Sequence, residues 1–141
     1  MSHRIRELGE SDLEQVSEWE SLCFPTEIWS KKNILTHLEF HKAYVLEIPI
    51  PVAYTLVCET PWEVEIFRIA TLPEFRKKGY GKMLMEEIFR IFPGKDFFLE
   101  VNESNQAAQN LYLAVGFKEL EKRKNYYPDG SSALLMKKEK L

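Results

Sequence analysis

The residues with the clearest chemical potential lie between Arg76 and Lys82, which read Arg-Lys-Lys-Gly-Tyr-Gly-Lys. Gly79 and Gly81 allow the main chain to come close to a ligand. A helix starting here leaves the amides of its first turn without intrahelical partners, and its dipole puts partial positive charge at the same point. Arg76, Lys77, Lys78 and Lys82 add full charges. Together these features suit a pyrophosphate or a similar anion. Two common phosphate loops do not fit. A Walker loop needs four residues between its glycines and a Ser or Thr after the lysine, whereas Met83 follows Lys82. A dinucleotide fingerprint needs a third glycine where Leu84 stands. A solvated basic turn that starts a helix fits the local residues equally well.

Other groups have chemical potential of a different kind. In the stretch Phe97 to Val101, alternation turns Phe97, Leu99 and Val101 one way and Phe98 and Glu100 the other. A carboxylate partly desolvated beside a phenylalanine has a raised pKa and is a better general base. A surface glutamate in water is the alternative. Tyr112 falls one turn after Ala108, on a helical stretch whose apolar stripe includes Leu111 and Val115, and by itself it reads as a core tyrosine. His37 and His41 have chelating spacing but no third ligand, so they read as an exposed helix face and no metal site is expected. The run Lys122 to Lys124 beside Tyr126 and Tyr127 has the make-up of an RNA-stacking patch. It reads better as a solvated strand face and a substrate wall.

The elements that would position these groups follow from periodicity and turn residues. Ile5 to Leu8 reads as a first strand. Ser11 caps a helix through Cys23, with Leu13, Val16 and Trp19 on one face, and Ser30 caps a second through about Phe40, with Ile34, Leu35 and Leu38 inward. Tyr44 to Glu47, Val52 to Cys58 and Glu63 to Thr71 read as strands. A helix runs from about Gly81 to Phe92, stopped by Pro93-Gly94. Phe97 to Val101 is a strand, Asn105 to Val115 a helix, and Phe117 to Tyr127 and Ala133 to Lys137 two final strands around Pro128-Asp129-Gly130. The unit from Glu63 to Val101 is strand, helix, strand, so its two strands run parallel. Ligands of such units sit beyond the strand C-terminal ends, here after Thr71 and Glu100.

A chain of 141 residues fits one domain, and its 45% hydrophobic and 29% charged composition is that of a globular protein. The net charge of -3 argues against a nucleic-acid binder. The start, Met1 to Asp12, is charged, and the longest uncharged stretch, Ile48 to Cys58, contains Pro49 and Pro51 and is too short to span a membrane. The expected location is therefore the cytoplasm, with Cys23 and Cys58 as reduced thiols and no membrane partner.

Two separated elements carry a family resemblance. Arg76-x-x-Gly79-x-Gly81, after a strand ending Ile69-Ala70-Thr71-Leu72-Pro73, resembles the coenzyme A loop of the GNAT acetyltransferase superfamily. Asn105, Ala107, Tyr112 and Gly116-Phe117 resemble the spacing of that family's later element. The likeness spans nearly the whole chain and extends to RimI-type alanine acetyltransferases, which modify the N-terminus of a ribosomal small-subunit protein. Phe24-Pro25, Leu99-Glu100-Val101, Arg123 to Pro128 and Ala133 to Met136 are similar to stretches of those enzymes. The chain departs from them with Asn102 where an arginine is usual, with Ser131-Ser132 where an acidic pair is usual, and with extra residues before Trp29.

The resemblance implies a mixed α/β single domain over residues 1–141: a mostly antiparallel central sheet, with one parallel strand pair at the coenzyme A site, flanked by helices. It implies acetyl-coenzyme A as cosubstrate, held by Ile69, Ala70, Thr71, Arg76, Lys77, Lys78, Gly79, Tyr80, Gly81, Lys82 and Asn105. Asn105 fits equally as a helix-start residue. Glu100 becomes the general base and Tyr112 the acid that protonates the sulfur, in direct attack within a ternary complex. The implied acceptor is a protein N-terminus, with Ala or another small residue first. The chemistry agrees: an α-amine has a pKa of about 8 and a lysine about 10.4, so deprotonating lysine costs roughly 3 kcal/mol more. A small-molecule amine or a lysine side chain is the alternative acceptor.

Overall fold

A computed structural model describes residues 2–140 of the chain. Seven strands form, the central β3, β4 and β5 rich in β-branched and aromatic residues and the outer β1 and β6 largely charged: β1 (Arg4–Glu7), β2 (Lys42–Glu47), β3 (Pro51–Glu59), β4 (Glu63–Thr71), β5 (Asp96–Asn102), β6 (Lys118–Arg123) and β7 (Ala133–Lys138). They make one sheet in the order β1-β2-β3-β4-β5-β7-β6. Every pairing is antiparallel except β4 with β5, the pair joined through a helix. Four helices flank the sheet: α1 (Leu13–Cys23), α2 (Lys31–Phe40), α3 (Tyr80–Ile91) and α4 (Gln106–Ala114). No helix among the described residues is long and apolar enough to cross a membrane.

Strand alternation divides the core into two layers. Leu46, Val57, Val64, Ile66, Leu99 and Met136 pack with Leu84, Met85 and Ile88 of α3 and Tyr112 of α4. Ala43, Val45, Tyr54 and Leu56 pack with Val16 and Trp19 of α1 and Ile34 and Leu38 of α2. The sheet is thus sandwiched between helix pairs, as its two-sided apolar pattern requires. Ser30 caps α2, its hydroxyl accepting from the Asn33 amide at 3.1 Å.

Two expected boundaries shift for identifiable reasons. Ser11 lies inside a short 3-10 turn, Glu10–Asp12, and α1 begins only at Leu13. The Asp12 carboxylate accepts from the Gly9 amide at 2.9 Å, which fixes the entry. β6 ends at Arg123 rather than Tyr127. Asn125 takes a left-handed φ of 53°, which ends the extended run and takes Tyr126 and Tyr127 out of the pairing with β7.

The irregularities of β4 create an opening. Leu56 pairs with Arg68 and Val57 with Ile66, so Phe67 is an extra residue, a bulge that bends the strand. Pairing between β4 and β5 stops at Ile66 opposite Leu99. Beyond that point β4 follows β3 as far as Thr71, and β5 follows β7 as far as Asn102. The sheet splits into a V whose arms are Phe67 to Thr71 and Glu100 to Asn102.

Candidate active site

Two clefts meet at the V. One, of about 630 Å³, lies over the start of α3. Its wall includes Ile69, Ala70, Thr71, Arg76, Lys77, Tyr80, Gly81, Lys82 and Asn105, so nine of the residues expected around a cofactor are brought together. Lys78 and Gly79 stand at the loop beside it without lining it. The main-chain edge of Ile69 to Thr71 that faces β5 has no strand pairing to it among the described residues, which leaves it open to a ligand.

The loop has the geometry of an anion site. Gly79 is the N-cap of α3 at φ 82°, and no side chain caps the helix, so the first-turn amides point outward. Lys77 is also left-handed, at φ 66°. Gly81 has a different reason to lack a side chain: a Cβ there would stand 3.2 Å from Leu111 Cδ2 and 3.4 Å from Thr71 Oγ1. Arg76 turns back, its Nε donating to the Thr71 carbonyl at 3.1 Å, and so braces the loop. Asn105 caps α4, its Oδ1 accepting from the Ala108 amide at 3.1 Å, while it also lines both clefts.

The other cleft, of about 660 Å³, lies between the α1–α2 connection, the two arms of the V and the loop after β6. Phe24, Glu27 and Trp29 form one wall, Glu65 to Ile69 and Glu100 to Asn102 the floor, and Tyr126 and Tyr127 the far wall. Glu100 is exposed, which corrects the expectation of desolvation beside Phe98: this face of β5 is left uncovered by α1 and α2. Its Oε2 accepts from the Tyr127 hydroxyl at 3.1 Å. Glu65, on the neighbouring strand, has its carboxyl pushed above the usual range by burial and then by the charges of Glu63 and Glu100.

Phe24, Ile69, Asn105, Ala108 and Tyr112 line both clefts, so the two cavities are continuous at these residues. Tyr112 is buried, with its ring 5.9 Å from that of Phe117. Burial pushes its hydroxyl up to about 12, so it is protonated at neutral pH.

Several residues at the site escape sequence reading. Arg68 is nearly buried on β4 and pairs with fully buried Glu20 of α1, Nε to Oε1 3.3 Å. Tyr54 donates to the second Glu20 oxygen at 2.5 Å. The guanidinium lies 4.1 Å over the Phe24 ring and donates to the Glu27 carbonyl, so it ties the wall of the second cleft to the sheet. The available signal was a glutamate at helical spacing from Val16, on the face that also carries Trp19. His37, expected on an exposed face, is instead buried, with a ring nitrogen 2.9 Å from the Lys42 carbonyl and its ring against Trp29 and Phe67. The reason is that α2 turns this side toward the bulged β4. No group of three or more His, Cys, Asp or Glu side chains among the described residues is arranged to hold a metal.

The split in the mixed sheet thus places an open, basic helix start beside a second cleft. The model of the acetyltransferase (GNAT) family matches residues 7–117. An N-alpha-acetyltransferase of Sulfurisphaera tokodaii is 28% identical, over 95% of this chain and 91% of its own. A ribosomal protein bS18-alanine N-acetyltransferase of Haemophilus ducreyi is 40% identical over a shorter stretch, 53% of this chain and 56% of its own. The crystal structure of the ribosomal-protein-S18-alanine N-acetyltransferase from Escherichia coli superposes with a TM-score of 0.88 at 28% identity, covering 97% of this chain and 93% of that one. The chain belongs to the acetyltransferase (GNAT) family, and the fold implied by the sequence resemblance is the fold observed.

Proposed function

We propose that the protein transfers the acetyl group of acetyl-coenzyme A to the N-terminal α-amine of a protein, in a ternary complex and without a covalent enzyme intermediate. The observation that carries this reading is the continuity of the two clefts at Ile69, Asn105, Ala108 and Tyr112. A donor entering over the α3 start and an acceptor entering along β5 meet there. The basic loop and open helix start suit the pyrophosphate of coenzyme A, and the second cleft, of about 660 Å³, opens beside them for the acceptor. Glu27, Glu65 and Glu100 give its wall the sign that attracts an amine.

In this reading, Glu100 takes a proton as the amine nitrogen attacks the thioester carbon and the C–N bond forms. The open main-chain edge of Ile69 to Thr71 donates to the developing oxyanion. The C–S bond then breaks, and Tyr112 donates toward the departing sulfur. Because burial raises the Tyr112 pKa well above the value of about 8.5 for a thiol, its contribution is mainly a hydrogen bond to the thiolate. The products are the acetylated N-terminus and coenzyme A.

The relatives named for ribosomal-protein alanine acetylation support a small first residue, most simply alanine, on a ribosomal protein as the acceptor, and hence action in the cytoplasm. The test is incubation with acetyl-coenzyme A and a library of peptides differing at their first residues, read by mass spectrometry. Acetylation is expected at the α-amine of peptides beginning with small residues, with internal lysines far slower. Acetyl groups found mainly on lysine would overturn the N-terminal reading and leave the family intact.

A further inference from the structure

We propose that Asn102 and Ser131 are positioning residues that act through Tyr127 to hold the Glu100 carboxylate in the orientation that accepts the substrate proton; this rests on Glu100 being the base. A glutamate exposed at the end of a strand samples many rotamers, and a proton acceptor must stand within hydrogen-bond reach of the amine. Asn102 lies two residues beyond Glu100 on β5, so both side chains project from the same face. The loop after β6 folds over that face and touches it at both positions. The Tyr127 hydroxyl donates to Glu100 Oε2 at 3.1 Å, and Asn102 Nδ2 donates to Ser131 Oγ at 2.8 Å.

The stretch between those two contacts is tied down at each link. The Tyr127 amide donates to the Ser131 carbonyl at 3.1 Å, and the Tyr127 carbonyl accepts from the Gly130 amide at 2.9 Å. The Ser131 hydroxyl and amide both donate to Asp129 Oδ1, at 2.5 and 2.9 Å, which closes the turn. On the strand side, Asn102 Oδ1 accepts from the Ser104 amide and hydroxyl, each at 2.9 Å, which turns the amide nitrogen toward Ser131. Hydrogen bonds thus hold the Tyr127–Ser131 turn against β5 at Asn102 and at Glu100. Tyr127 engages Oε2 and leaves Oε1 as the acceptor for the amine. Burial and the Glu100 charge hold the Tyr127 hydroxyl protonated, so it remains a donor.

The experiment is a double-mutant cycle on the full chain, with acetyl-coenzyme A and a synthetic peptide beginning with Ala. Tyr127→Phe keeps the ring, and Asn102→Ala removes the clamp from the strand side. Each is made alone and together with Glu100→Gln. In the native background each is expected to lower kcat about tenfold, with KM for acetyl-coenzyme A and Tm near the parent values. In the Glu100→Gln background neither should lower kcat further, because residues acting as a unit are not additive. Costs that multiply in that background, or no loss of kcat in the native one, would overturn the proposal while leaving the base assignment standing. Full turnover of Glu100→Gln alone would overturn the base assignment and this proposal with it.

Discussion

The two clefts that meet at Tyr112 are built in opposite ways. The one over α3 comes largely from a single stretch, Ile69 to Lys82, closed by α4. The groups it presents are main-chain amides and exposed cations. The one along β5 is assembled from the α1–α2 connection, β4, β5 and the loop after β6. Its working groups are side chains held by other side chains, Glu100 by Tyr127 and Arg68 by Glu20. A surface made of backbone should tolerate exchange of its side chains and fail when its backbone is disturbed. A surface made of side chains should behave in the reverse manner.

The largest expected effect is on the wall of the β5 cleft. Glu20→Ala leaves Arg68 nearly buried without its main counter-charge and should destabilise the fold by about 3 kcal/mol, measured by denaturant unfolding. Replacing both residues with methionine should recover most of that loss, since an apolar pair avoids the desolvation of two ions. A tolerated Glu20→Ala protein would mean that Glu27 alone satisfies the arginine.

Glu100→Gln should lower turnover about 10²-fold or more at neutral pH. Activity should partly recover as pH rises toward the amine pKa of about 8, where the amine loses its proton unaided. An equal loss at every pH would reassign Glu100 to binding. Tyr112→Phe should lower turnover by about 10²-fold with cofactor affinity kept, and less at high pH, because a thiolate leaves tolerably without an acid. Near-normal turnover in a protein that melts like the parent would return Tyr112 to the core.

In the α3 cleft the contrast is between backbone and side chain. Gly79→Val places a β-branched residue at φ 82°, and Gly81→Val adds methyls where Leu111 already stands 3.2 Å from a Cβ. Each should weaken acetyl-coenzyme A binding about tenfold or more, Gly79→Val through backbone strain of about 1–2 kcal/mol and Gly81→Val through the clash with Leu111. Lys77→Ala and Lys82→Ala, at exposed cations, should each cost only about two- to fivefold. Calorimetric titration with acetyl-coenzyme A would reverse the comparison if the lysine variants lost more affinity than the glycine variants.

The smallest effect concerns pH. Burial holds His37 below its ordinary pKa, so the unfolded chain binds a proton that the folded chain does not. Stability should therefore be full above pH of about 6.5 and decline as pH falls below it. His37→Gln should flatten that decline. Because His37 packs on Trp29 and Phe67 behind the β5 cleft, acid should weaken peptide binding before cofactor binding.

The sequence by itself determined most of the elements and the loop that opens the α3 cleft. Alternation in β4 and β5, the Ser30 cap, and Gly79 and Gly81 at a helix start are local, since each depends on residues within a few positions of one another. Glu100 and Tyr112 were legible as candidates because the strand and helix periods assign their faces, and because the resemblance supplied their roles. Only the tertiary structure decided what surrounds them. That Tyr127 reaches Glu100 depends on β7 inserting between β5 and β6, and on Asn125 breaking β6 early. That Glu20 and Arg68 form a buried pair depends on α1 packing over β3 and β4, which joins positions 48 residues apart. No period or cap encodes such contacts, because they form when whole elements dock and the energy of docking is shared among many apolar side chains.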